Sequence, residues 1–185
     1  MMMGWLQRDV GVPLGLAILF GIATGAACGL VSGLLITRAR LPAFIATLTM
    51  MSVARGLANI LTEGRQIVGF ADWFTSLATV RHMGFLSATV TLFILLTLVA
   101  GAYLRFRPGG RNLYAIGGSP EVARLAGIQV AKATIAVYVA AGTLAGIAAM
   151  ALAARLDSSQ PSAGLGYELD AIAAVVIGGT LLTGG

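Results

Sequence analysis

The chain has 185 residues, 58% hydrophobic and 10% charged, with a mean hydropathy of +0.92 and a net charge of +5. A soluble domain carries roughly 25% charged residues, so there are too few charges here to coat a water-facing fold, and disorder needs the opposite balance. The 25 glycines follow no three-residue period, which excludes collagen, and the single Cys28 excludes a disulfide framework or a cysteine zinc site.

Charge-free runs predict the elements in chain order. Val10–Thr37 lies between Asp9 and Arg38 and predicts a first span over about 12–37. It lacks a positive n-region and is too long for a signal-peptide core. Leu41–Thr62 predicts a second span, 41–62, interrupted by Arg55. His82–Leu104 predicts a third, about 83–104, and Ala133–Ala154 a fourth, 133–154. Ala171 to Gly185 is apolar but short and glycine-rich, and predicts a partial or re-entrant span over about 171–182. The expected fold is an all-α polytopic transmembrane helix bundle: a single domain over 1–185 with four clear spans and a fifth short apolar segment.

Eleven arginines and one lysine set the orientation. Arg38, Arg40, Arg105, Arg107, Arg111, Arg124 and Lys132 follow spans one and three. Arg8, Arg65, Arg81 and Arg155 fall on the opposite side. The positive-inside rule therefore places 38–40 and 105–132 in the cytoplasm, with 63–81 and 155–170 facing outward.

Within span one Gly21, Gly25, Gly29 and Gly33 recur every four residues. Gly11 and Gly15 repeat the spacing upstream, and Gly142 and Gly146 repeat it in span four. Small residues at this spacing let two helices approach closely in lipid. Such a seam serves tight packing, or sliding during transport. Arg55 is the one charge well inside a span, with Asn59 one turn later on the same face. It either lines a polar path or snorkels to a polar partner. His82, at a span boundary, reads as an interfacial histidine. No catalytic, cofactor-binding or metal-binding motif is present, and VVIGGTLLTGG lacks the lysine of a phosphate loop.

The segment 105–132 carries the clearest local signal. Ser119-Pro120-Glu121 combines a cap residue, a proline at the first helical position and an acid at the positive end of the helix dipole. Gly127 marks the stop. This predicts a two-turn helix within 119–127, with Val122, Leu125 and Ala126 on one face and Glu121 with Arg124 as an i,i+3 pair on another. Helices this short are marginal alone, so it either docks against something or packs on the membrane surface.

Three stretches, LPAFIATLTMMSVARG (41–56), GRNLYAIGGSPEVARLAGI (110–128) and ARLDSSQPSAGLGYELDAIAAVVIGGTLLTGG (154–185), resemble the permease subunits of ATP-binding-cassette importers for monosaccharides of the ribose, xylose and galactoside type. A more distant similarity runs to branched-chain amino-acid permeases. The resemblance implies a multi-pass protein of the bacterial inner membrane that works as a dimer with a second permease copy. A cytoplasmic ATPase and a periplasmic sugar-binding protein would be its partners, with no cofactor and no nucleic acid. It places ATPase coupling on Gly117, Ser119, Glu121, Val122, Arg124, Leu125 and Gly127. Gln160, Tyr167, Glu168 and Asp170 then face the sugar or the binding protein. Members of that family are longer, so the resemblance also implies a chain truncated at both ends. The alternative is a stand-alone membrane protein, a secondary transporter or scaffold. It is disfavoured because all seven acids lie in loops or at span ends, where they cannot couple ions across the bilayer. A membrane enzyme ranks third for want of a catalytic constellation.

Overall fold

The computed structural model describes residues 1–79, 81–82 and 86–179. Among these, four helices are long and apolar enough to cross a membrane: α2 (Leu14–Arg38), α3 (Ala43–Thr62), α5 (Ala88–Phe106) and α8 (Val130–Leu156). At 1.5 Å per residue they run from about 28 to 40 Å, against a hydrocarbon core of about 30 Å. Short helices α1 (Met2–Arg8), α4 (Asp72–Thr79), α6 (Pro108–Gly118), α7 (Pro120–Leu125) and α9 (Tyr167–Ile177) complete the helical elements. The chain divides into two compact units, Met1–Leu96 with Thr134–Pro161, and Thr97–Ala133 with Ser162–Gly185.

In the first unit the start of α2 is set by Pro13 and that of α3 by Pro42, both with extended ψ. The third span begins later than the charge-free run predicts. Residues Arg81–His82 (β2) and Leu86–Ser87 (β3) pair as antiparallel strands, and α5 starts at Ala88. Residues 83–85 of the expected span lie outside the described residues, as does the side chain of His82. The Ser87 hydroxyl accepts the Thr89 amide at 3.2 Å and so caps α5 there. The helix runs on to Phe106 because Arg107 precedes Pro108 and is held extended, with φ −95° and ψ 145°.

A buried apolar cluster gathers at one end of these helices. Met3 of α1, Leu14 and Ala17 of α2, Ile67 of β1 (Ile67–Val68), Phe70, Phe74 of α4, and Ala153 and Ala154 of α8 compose it. Phe70 and Phe74 meet edge to face at 5.5 Å between centroids. α5, by contrast, buries no residue. A lipid-facing surface needs no protein cover, because hydrocarbon tails are as apolar as the side chains themselves.

The second unit contains the end of α5, then α6, α7, the first turn of α8, and α9. Two expectations change here. The glycine-rich run 108–118 reads as loop in the sequence, yet Pro108 at the first helical position starts an eleven-residue helix, α6. Tyr167, Glu168 and Asp170 were expected in an outward loop, but they form the first turn of α9. That helix begins four residues earlier than the predicted 171 because Glu168 folds back to accept the Gly166 amide at 3.1 Å. Residues 180–182 of the expected fifth segment lie outside the described residues.

Candidate functional site

Three places hold the residues singled out above. The first is the seam between α2 and α8. A side chain at Gly25 would meet the carbonyl oxygen of Gly142, and one at Gly29 that of Tyr138. A Cβ at Gly33 would stand 3.0 Å from Ile135 Cα, and one at Gly146 3.1 Å from Ile22 Cα. The helices run antiparallel, backbone against backbone, as close approach through small residues allows. At Gly21 a Cβ would first meet the flexible end of Met150, with Met3 Cβ in ordinary contact at 3.5 Å. The upstream repeat does not join the seam. Gly15 has open space around it, and Gly11 lies before the helix with φ +72°.

The second place is the end of the first unit where the buried cluster sits. Ile67 and Val68 pair antiparallel with Ser159 and Ser158 of β4 (Ser158–Ser159). Two segments nearly ninety residues apart in sequence are thereby joined, and both lie on the same side of the spans. The Phe70 amide also donates to the Asp157 carboxylate at 3.2 Å. Asp157 itself adopts φ +47°, a left-handed conformation that aspartate tolerates better than most residues. None of this link shows as a motif in the sequence. We expect Asp157→Ala to lower stability by about 1–3 kcal/mol, since it strands a partly buried donor. Asp157→Asn keeps an acceptor and should stay near wild type. Thermal unfolding of the purified variants checks this, and equal melting of wild type and Asp157→Ala would remove the link's significance.

Gln160 follows the ribbon, and its Nε2 donates to Ser158 Oγ at 3.4 Å. Tyr167, Glu168 and Asp170 belong to the other unit, where Tyr167 is exposed. In α3 the Asn59 amide donates to the Arg55 carbonyl at 3.0 Å, so Asn59 is spent on its own helix backbone. Arg55 is half-buried, and among the described residues no acid pairs with it. An apolar cleft of about 300 Å³ opens between Ile18, Ile22, Phe74, Leu92, Ile147 and Met150. Among the described residues Thr89 is its one polar lining side chain, whereas a sugar takes several hydrogen-bond partners.

The third place is α7. The Ser119 hydroxyl accepts the Val122 amide at 3.3 Å, capping the helix. At the other end Gly127 takes φ +81°. The Ile128 amide bonds to the Ala123 carbonyl and the Gly127 amide to that of Arg124, each at 3.0 Å. This pair of hydrogen bonds closes the helix, and glycine takes the left-handed position without a Cβ penalty. Gly117 lies in the last turn of α6 rather than in α7. Glu121 and Arg124 form no ion pair with each other among the described residues. Ala123 is the buried residue of α7, which the sequence did not single out. The opposite consequence is a solvent-facing apolar pair: Val122 is 64% exposed and Leu125 88%.

A two-turn helix capped at both ends thus presents exposed apolar side chains, in a chain whose described residues include four helices long and apolar enough to cross a membrane. The family model described as "Branched-chain amino acid transport system / permease component" matches residues 1–184. The chain belongs to this permease family. It is 39% identical over 181 residues to the ribose import permease protein RbsC of Haemophilus influenzae, covering 96% of this chain and 56% of that protein. It is 44% identical over 173 residues to the ribose import permease protein RbsC of Escherichia coli K12, covering 91% and 54%. The fructose import permease protein FruG of Bifidobacterium longum is 36% identical over 191 residues, covering 98% and 56%. The chain thus spans about half the length of the curated relatives it matches. No solved structure matches it significantly. This family member is a multi-pass protein of the bacterial inner membrane.

Proposed function

We propose that the chain forms part of the translocation path of an ATP-driven importer for a simple, ribose-like sugar, coupled to a separate cytoplasmic ATPase through α7. The observation that carries this reading is the exposed Val122–Leu125 face on a helix closed at both ends by its own caps. An apolar side chain that is 88% exposed on a rigid element favours a protein partner over water. The names of the relatives, ribose and fructose import permeases, support the substrate class. The absence of acids from α2, α3, α5 and α8 speaks against ion-coupled transport. In this reading hydrolysis belongs to the ATPase chain and the permease pairs with a second copy. A periplasmic binding protein delivers sugar to the face of the first unit that bears the β1–β4 ribbon and Gln160. Arg55, the half-buried cation of α3, is the candidate for the polar path.

Reconstitution tests it. The permease, the ATPase encoded with it and a binding protein, placed in vesicles, should hydrolyse ATP faster when ribose is added. Sugar-independent hydrolysis with no uptake would refute the assignment. Sidedness is checked separately. In a Cys28→Ser background, Gln66→Cys should react with an impermeant thiol reagent on spheroplasts and Gln129→Cys should not, because basic residues concentrate on the latter side. The reverse pattern would invert the topology and remove α7 from the ATPase side.

A further inference from the structure

The junction of α5 and α6 carries a cluster that neither packing nor α7 uses. Arg105, Arg107 and Arg111 fall within seven residues, and all three are exposed. They alternate with exposed aromatics: Tyr103, Phe106 at 76% and Tyr114 at 67%. The Arg105 guanidinium lies over the Phe106 ring, 5.8 Å from its centroid. No acid occurs between residues 73 and 120, and no ion pair neutralises these arginines among the described residues. The cluster is also held in place. Arg107 is extended before Pro108, and a Cβ at Gly110 would come within 2.6 Å of Leu104 Cα. α6 therefore starts in direct contact with the last turn of α5. α5 is long and apolar enough to cross a membrane and ends at Phe106, so a crossing by α5 brings this junction to the membrane–water boundary.

We propose that this collar binds the headgroups of anionic phospholipids, the three guanidinium groups holding phosphate oxygens while Tyr103, Phe106 and Tyr114 lie in the interface. Arginine presents a planar fork of donors that matches phosphate. Tyr103 and Tyr114 pair a ring with a polar hydroxyl, the combination that settles at the membrane–water boundary, and Phe106 adds an apolar ring under Arg105. Uncompensated positive charge favours a net-negative headgroup over a zwitterionic one by about fivefold per arginine near the surface. Charge complementarity thus selects the occupant. The inference deepens the membrane role proposed above but requires neither its sidedness nor its ATPase, since a collar on either face meets the same headgroup chemistry.

The test is native mass spectrometry of the detergent-purified permease titrated with dioleoyl phosphatidylglycerol or dioleoyl phosphatidylcholine. Wild type should retain the anionic lipid at least tenfold better. The triple variant Arg105→Gln, Arg107→Gln, Arg111→Gln should lose that preference, while the triple Lys variant and Arg124→Gln should keep it. The Lys variant guards against a folding defect, because it removes the forks but not the charge. Equal retention of both lipids by wild type overturns the proposal. So does an anionic preference that survives in the triple Gln variant, and so does a triple Gln variant that loses only its ATPase partner, which would assign the arginines to protein docking. Failure of the orientation experiment would leave these outcomes unchanged, so the two readings fail separately.

Discussion

Gly29→Leu is expected to destabilise the purified permease by about 3 kcal/mol, at the upper end of the range for overpacked sites. Two observations set the magnitude. A Cβ at this position already meets the Tyr138 carbonyl, standing 2.9 Å from its carbon and 3.1 Å from Val139 Cα. All of these are backbone atoms, which cannot rotate aside. Relief demands that α2 and α8 separate, and separation forfeits the contacts at Gly25, Gly33, Gly142 and Gly146 together. Position 21 makes the contrast. Its neighbour is the terminal methyl of Met150, a flexible group that can swing away, so Gly21→Ala should cost far less. Gly15→Leu, into open space on the same helix, should be nearly neutral. Thermal unfolding in one detergent, followed by loss of the monodisperse chromatographic peak, compares the three. A Gly29→Leu protein as stable as Gly15→Leu would mean that the seam does not hold the helices together.

With α7 docked on an ATPase as proposed above, Leu125→Asp combined with Arg124→Glu is expected to weaken ATPase binding at least a hundredfold and to abolish ribose-stimulated hydrolysis. Burying a leucine side chain contributes about 1.5–3 kcal/mol. An aspartate in its place adds the cost of dehydrating a charge, and the Arg124 reversal sets like charges against a surface selected to accept a cation. Each 1.4 kcal/mol is tenfold in affinity. Both residues lie outside the spans and are exposed in this chain, so insertion and stability should be unchanged. Gln129, beyond the glycine stop, should tolerate substitution. Co-purification with the ATPase and hydrolysis by the reconstituted complex read the effect. Undiminished binding and stimulation would show that α7 rests on the membrane surface.

The elements differ in how far they could be read in advance. The start and stop of α7 were legible because capping is local: a hydroxyl, a proline and a left-handed glycine act within nine residues. α6 was hidden because PGGRNLYAIGG contains four glycines, poor helix formers by propensity, and contact with the end of α5 overrides that preference. The late start of α5 was hidden for a related reason. Hydropathy alone does not distinguish Leu86–Ser87 in a strand from the same residues in a helix, and the Ser87 cap decides it.

What depends on transfer from water and on neighbours along the chain is written locally. That comprises residence in the membrane, the four helices long and apolar enough to cross it among the described residues, the basic asymmetry between their ends, and the short capped helix. Apolar run length and charge placement are one-dimensional quantities, and the bilayer reads them directly. Which glycines matter depends on packing between helices, since Gly15 and Gly25 are alike in sequence but, of the two, Gly25 faces a second backbone. Tertiary structure likewise joins Ile67 to Ser159 and Phe70 to Asp157. Those contacts close loops of nearly ninety residues, and no local preference encodes a partner at that distance. They form because α8 packs antiparallel to α2 while α3 returns along α2, so the segments that follow α3 and α8 leave the helices on the same side.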